Sequence, residues 1–179
     1  DAVLRLSLQA MRKIEAFSPE DLAGLARATA TFASAGTRGG DFAPLATAVL
    51  AEATKSPQRL RSLPPRQILR LMGAMSKLHI KVQGHASLEL LAREAARKAD
   101  GLNATQVASF AWSTASLRLQ CPALLTALGK RLADMQRHRT QQDPASFSAV
   151  AGLVWATSVT KSSDAGDVAL QSLLDDTAP

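Results

Sequence analysis

The sequence predicts an all-α protein, an α-solenoid of antiparallel helix pairs with about four repeats of roughly 40 residues. Hydrophobic residues make up 46% of the chain and aromatic residues only 4%, so the core is built of small and aliphatic side chains that let helices pack closely. Strict alternation of β-branched and polar residues is absent, which argues against strands. A capped-helix pattern also occurs four times along the chain.

The clearest copy of this pattern begins at Leu102. Asn103 is a good N-cap, and Gln106 three residues later completes a capping box. Leu102 and Val107 flank the cap as a hydrophobic staple. Apolar residues then continue at helical spacing past Trp112, which predicts an amphipathic helix over residues 103–118.

Three weaker copies define the repeat register. The four starts at residues 17, 63, 102 and 145 are 46, 39 and 43 residues apart, and Trp155 occupies the position of Trp112. Such a period is typical of paired-helix repeats. We therefore expect a single solenoid segment over 1–179, divided into a partial repeat and four repeats at 1–16, 17–62, 63–101, 102–144 and 145–179.

In the first two repeats, helix faces follow from apolar spacing. Residues 2–15 predict a helix with Leu4, Leu8 and Met11 on one face, the second helix of a repeat that begins upstream. The helix over 18–34 is expected to bury Phe32. In the first repeat we expect a loop over 35–40, a second helix over 41–54 and a basic linker over 55–62. In the second repeat we expect a turn over 82–84 and a second helix over 85–99.

The last two repeats continue the pattern. A second helix begins near Pro122, and the first helix of the fourth repeat begins near Ser146. A short acidic second helix is expected to follow, with apolar residues at Val168, Leu170, Leu173 and Leu174. Since the chain begins with Asp1, we expect a fragment or a product whose leader has been removed.

Positive charge is concentrated in part of the chain. The net charge is +6, but residues 1–140 carry 20 Lys and Arg against 10 Asp and Glu, and no acid lies between Glu52 and Glu89. Cations without nearby acids favour binding to nucleic-acid phosphates over an ordinary solvated face. The candidate RNA-binding residues are Lys55, Arg59, Arg61, Arg66, Arg70, Lys77 and Lys81, with a second cluster at Lys130, Arg131, Arg137 and Arg139.

Signs of catalysis are absent from the sequence. The three histidines and Cys121 lack metal-ligand spacing, and no phosphate-binding glycine motif occurs. We expect no enzyme activity, no cofactor and no metal. No apolar run reaches the roughly 18 residues that span a bilayer, so no membrane partner is expected. Trp112 and Trp155 either fill the seam between neighbouring repeats or stack on RNA bases; the equivalent positions favour the seam.

The copies that begin at Phe17 and Leu102 resemble the degenerate helical repeats of organellar RNA-binding proteins. These are the octotricopeptide and heptatricopeptide types, often found with RAP domains. The resembling residues are Phe17-Ser18-Pro19-Glu20-Asp21-Leu22 and Leu102-Asn103-Ala104-Thr105-Gln106-Val107-Ala108-Ser109-Phe110-Ala111-Trp112-Ser113. The resemblance covers nearly the whole chain, although the first two repeats lack the Trp and no RAP domain is visible.

This resemblance implies a mitochondrial, or alternatively plastid, RNA-associated role. The expected partners are rRNA or an organellar transcript, and neighbouring proteins of a ribonucleoprotein such as a mitochondrial ribosome. Gly24, Arg70, Ser109 and Gly152 are equivalent positions without a consistent base-reading pattern, so we favour recognition of RNA backbone and shape. The alternatives are a protein–protein scaffold and an organellar transcript maturation or stability factor. No small-molecule substrate is expected.

Overall fold

A computed structural model describes residues 2–35, 42–79, 86–137 and 144–160. The described segments contain helices and no strand, so the all-α prediction is confirmed. The α-helices are α1 Ala2–Arg12, α2 Pro19–Ser34, α3 Ala43–Ala53, α4 Pro57–Ser62, α5 Pro65–Lys77, α6 Ala86–Arg97, α7 Ala104–Ser116, α8 Pro122–Arg137 and α9 Pro144–Thr160. Short 3-10 turns precede α2 and α7, at Ile14–Ala16 and Ala99–Gly101.

The two helix starts with the strongest sequence signals form capping boxes. The Ser18 hydroxyl accepts a hydrogen bond from the Asp21 amide at 3.2 Å, and the Ser18 amide donates to the Asp21 carboxylate at 3.2 Å. Asn103 and Gln106 make the same reciprocal pair at 2.9 and 3.0 Å. Each box satisfies two amides that a helix start leaves unpaired. α5 instead begins after Pro64 with no side-chain cap.

Two helices also end alike. Residues His79 and Arg118, which follow α5 and α7 at the same position of the predicted repeat, both have φ of 50°. After α7, the Arg118 amide donates to the Ala115 carbonyl at 2.9 Å and the Leu119 amide to the Thr114 carbonyl at 3.0 Å. These two bonds form a Schellman motif, whose left-handed residue is usually glycine.

The chain divides into two compact units, residues 1–91 and 92–179. In unit 1, α2 packs most extensively on α5 and also contacts α3, while α1 contacts α3. The core residues of this unit are small and aliphatic: Leu22, Ala23, Ala26, Leu45, Ala46, Val49, Leu50, Ile68, Leu71, Met72 and Met75.

In unit 2, α7 packs most extensively on α9, and α8 contacts both helices. Phe110 is the largest fully buried side chain. The surrounding core consists of Val107, Ala111, Leu124, Leu125, Leu128, Leu132, Leu153 and Ala156.

Several local expectations were wrong. Phe32 is 49% exposed, although it was expected to face inward. The expected basic linker contains α4, which begins after a Ser56 cap whose hydroxyl accepts from the Arg59 amide at 3.2 Å. α9 begins at Pro144, before the expected start. The expected turn at 82–84 and second helix of the fourth repeat lie outside the described residues.

Candidate nucleic-acid interface

The candidate interface centres on helix α5. Pro65 occupies its first turn, where the missing amide costs nothing. Its apolar stripe is buried in unit 1, which places Arg66, Arg70 and Lys77 away from that stripe. Arg66 and Lys77 are exposed and Arg70 is half-buried. Within the described segments, no carboxylate forms an ion pair with any of these three cations.

Lys55 and Arg59 are engaged within the fold. Glu52 has a side chain only 8% exposed, and it lies 2.8 Å from an Arg59 guanidinium nitrogen and 3.4 Å from Lys55 Nζ. Lys55 also pairs with Glu15 at 2.8 Å, and Arg59 donates to the Phe17 carbonyl. The Arg59 side chain is therefore held within unit 1 at 21% exposed, whereas the Lys55 side chain is 55% exposed.

The sequence contained a signal for this network that charge counting missed. Glu52 lies three residues before Lys55, which is the spacing of an ion pair on one turn of helix, whereas Arg59 belongs to α4 and reaches Glu52 across the turn between α3 and α4. The hydrogen bond that Lys55 donates to Glu15 holds the pKa of Glu15 below its usual value, and the hydrogen bonds that Lys55 donates to Glu15 and Glu52 raise the pKa of Lys55. Both shifts favour the charged pair at neutral pH.

Arg131 has a position in unit 2 that resembles that of Arg59. Its Nε donates to the Leu102 carbonyl at 2.8 Å, and its guanidinium pairs with Asp134 at 3.0 Å. Leu102 and Phe17 are the equivalent residues that precede the two capping boxes. In both units, then, an arginine from a distant part of the chain fixes the backbone just before a capped helix.

The other candidates differ in their surroundings. Arg61 and Arg137 are exposed and take part in interactions within the protein. Lys130 is exposed on α8 and has no ion pair with a described carboxylate. Lys81 and Arg139 lie outside the described residues.

Arg70 lines an open groove of about 620 Å³ beside α2. Glu20 and Asp21 lie in the same groove, and the remaining lining is mostly apolar: Phe17, Gly24, Leu25 and Ala28. Hydrogen bonds from Ser18 hold the pKa of Asp21 below its usual value, so this carboxylate is ionised at neutral pH. The groove therefore presents both signs of charge above an apolar floor.

Trp112 of α7 and Trp155 of α9 contact each other. Their ring centroids lie 4.6 Å apart with planes inclined at 45°, and the residues stay 43% and 36% exposed. Gly152 lies beneath the first indole, because a Cβ added there would be 3.1 Å from Trp112 Nε1 and 3.3 Å from Ala111 Cβ. The indoles thus lie at the α7–α9 seam, and part of each remains accessible.

Over the ranges that the structure describes, no cluster of three His, Cys, Asp or Glu side chains could hold a metal ion. None of the helices described is long and apolar enough to cross a membrane.

Comparison with known proteins gave no relatives: no family model, no curated protein and no solved structure matches the chain.

Proposed function

We propose that this protein is an RNA-associated helical-repeat protein of an organelle that binds RNA backbone and shape through the basic face of α5. The resemblance of its repeats to those of organellar RNA-binding proteins points to the mitochondrion, with the plastid as the alternative. A structural role in a mitochondrial ribosome fits best, because the equivalent positions of the repeats carry no consistent base-reading residues.

The observation that carries this proposal is the set of cations on α5. Arg66, Arg70 and Lys77 lie on one helix, and no described carboxylate forms an ion pair with them; Glu20 and Asp21 share the groove that Arg70 lines. Lysine and arginine side chains that contact phosphates release condensed counterions, which favours binding without any base contact. Lys130 on α8 adds a further cation of the same kind in unit 2.

The helix contacts support a repeat architecture. α2 packs on α5 and α7 packs on α9, and these are the first helices of successive predicted repeats. α3 contacts α2 and α8 contacts α7, as the two helices of one repeat are expected to do. We propose that the four repeats stack as a solenoid, in which each repeat contacts only its neighbours.

The groove beside α2 favours a second candidate function, a protein–protein scaffold. It combines Arg70, two carboxylates and apolar residues, and such a mixture suits a peptide better than a uniformly charged RNA backbone. The two proposals differ in the salt dependence they predict, since counterion release dominates only RNA binding.

The test is filter binding of a mixed-sequence single-stranded RNA as salt is raised. The double variant Arg66→Glu, Arg70→Glu should weaken binding and reduce the slope of log affinity against log salt by about 0.7 for each lost phosphate contact. The double variant Arg27→Glu, Arg118→Glu is the matched control with the same change of net charge, since both arginines are exposed and have no described ion pair.

Equal loss in the control and in the double variant would show that only net charge matters. An RNA affinity that changes neither with salt nor in the double variant would favour the scaffold. Recovery of the protein with rRNA and ribosomal proteins from an organellar extract would support the ribosomal role, whereas recovery with a single protein would argue against it.

A further inference from the structure

Helix α7 is buried over most of its circumference and exposes one narrow stripe. The stripe has helical spacing and consists of Thr105, Ser109, Trp112 and Ser116, of which Ser109 is half-buried and the others are exposed. It combines an indole with three hydroxyl groups and carries no charge. The Ser109 hydroxyl donates to the Thr105 carbonyl at 2.8 Å, so it is satisfied within the helix. The indole is therefore the large side chain that this stripe offers to a ligand.

Trp155 of α9 extends the stripe, and we call Trp112 and Trp155 the indole pair. With about 3.6 residues per turn, Trp155 lies about 60° around α9 from Gly152, which packs against Trp112, whereas Val154 lies about 160° from Gly152. A helix packed on the far side of α9 would cover Val154 and leave Trp155 beside α7. The exposure of the indole pair therefore belongs to the α7–α9 seam and not to the far side of α9.

The indole pair forms a surface and not a slot. The ring centroids lie 4.6 Å apart and the planes are inclined at 45°. A base inserted between the two rings would need about 7 Å, because bases of one strand stack at about 3.4 Å. One side of Trp112 is occupied, since its Nε1 would be 3.1 Å from a Cβ at Gly152. A planar group can therefore stack only on the outside of the pair.

The stripe of α7 and the cations of α5 occupy the same repeat positions. Arg66, Arg70 and Lys77 each lie 39 residues before a hydroxyl residue of the stripe, and Gly73 lies 39 residues before Trp112. Positions that carry cations in the second repeat thus carry an indole and hydroxyls in the third. These are the two kinds of group that hold single-stranded RNA, because cations bind its phosphates and flat rings stack on its bases.

We propose that the indole pair stacks on an unpaired base of the RNA, an inference that rests on the proposed RNA binding and narrows its substrate to single-stranded RNA. Stacking accepts any base, because every base has a π face, so it agrees with equivalent positions that show no base-reading pattern. Neither the stripe nor α9 carries a charge, so this surface binds bases and leaves the phosphates to lysine and arginine elsewhere.

The test compares a mixed-sequence single-stranded RNA with an abasic oligoribonucleotide of the same length. Both carry the same phosphates, so a difference between them comes from the bases. The RNA should bind at least about fivefold more tightly than the abasic oligomer. Trp112 and Trp155 are the only tryptophans of the chain, so a stacked base should quench its tryptophan fluorescence, whereas the bound abasic oligomer should not.

Trp112→Leu and Trp155→Leu separate stacking from seam packing. Leucine keeps an apolar side chain at the seam but removes the ring, and each variant retains one tryptophan as a reporter. Each should weaken RNA binding at least about fivefold and leave the affinity for the abasic oligomer unchanged. Trp155→Phe keeps a ring and should retain most of the affinity. Phe147→Leu is the matched control, because Phe147 is an aromatic residue of α9 that is 79% exposed and lies outside the pair. Circular dichroism should show every variant to be folded.

Two results would overturn the proposal and leave the α5 cations as the RNA-binding residues. The wild type could bind both oligomers equally without quenching by RNA, in which case a protein partner covers the indole pair. The folded leucine variants could also bind RNA like the wild type. Failure of the α5 cations gives a different result, because the double variant Arg66→Glu, Arg70→Glu would then bind RNA like the wild type while quenching persisted. Absence of RNA binding even at low salt would overturn both proposals.

Discussion

Arg59 and Arg66 look alike in the sequence, and their surroundings differ. Arg59 pairs with the buried Glu52 and with the Phe17 carbonyl, whereas Arg66 points from α5 with no described ion pair. Removing one partner of a buried polar contact leaves the other partner unsatisfied, which costs more than the contact contributes. Substitution of Arg59 should therefore lower the stability of the fold, whereas substitution of Arg66 should affect RNA binding.

We expect Arg59→Met to lower the free energy of unfolding by about 1–3 kcal/mol, because it leaves Glu52 without its closest cation. Urea denaturation measures this change. Arg66→Met is the matched control and should change stability by less than about 0.5 kcal/mol. If both variants were equally stable, the Arg59 contacts would not support the fold.

Helix ends carry strain that a single substitution can remove. Arg118 follows α7 with a φ of 50°, a left-handed conformation that costs an L-residue with a β-carbon about 1–2 kcal/mol. We expect Arg118→Gly to stabilise the protein by about 0.5–1 kcal/mol, since glycine adopts this conformation without strain. Thermal unfolding followed by circular dichroism checks this. Arg118→Ala removes the charge but keeps the strain, so it should give no such gain.

Two glycines at the same repeat position, one in α2 and one in α9, differ in their surroundings. Gly152 lies against Trp112, whereas the equivalent Gly24 faces open space. We expect Gly152→Leu to destabilise the protein by about 1–3 kcal/mol through overpacking of the α7–α9 seam. Gly24→Leu should be neutral or stabilise α2 by up to about 1 kcal/mol, because leucine is the better helix former.

The comparison uses the free energy of unfolding of both leucine variants, measured side by side. A Gly152→Leu variant as stable as the Gly24→Leu variant would show that Trp112 moves aside at little cost, and that glycine is not required beneath the indole.

At the scale of the whole molecule, local interactions were predictable and distant ones were not. The capping boxes at Ser18 and Asn103 join residues three apart, so the sequence alone indicates them. The bond from Arg59 to Phe17 spans 42 residues, and the bond from Arg131 to Leu102 spans 29. No local pattern in the sequence indicates such contacts, because the residues they join are far apart along the chain.

The prediction of side-chain burial from helical spacing failed for a related reason. Helical spacing shows which side of a helix is apolar, and only the packing shows whether a neighbour covers that side. Phe32 of α2 is an apolar residue at a suitable position, and it remains about half-exposed. The α5 cations were predictable as a helical face, whereas the groove beside α2 depends on how α2 and α5 pack.

The indole contact in unit 2 has a practical consequence for spectroscopy. Trp112 and Trp155 are the only tryptophans of the chain, and Cys121, its single thiol, is buried in the same unit. Indole emission and thiol labelling therefore report on unit 2 alone, while peptide-bond dichroism averages over both units. A difference between these signals during denaturation would give the separate stabilities of the two halves from one sample, without any introduced label.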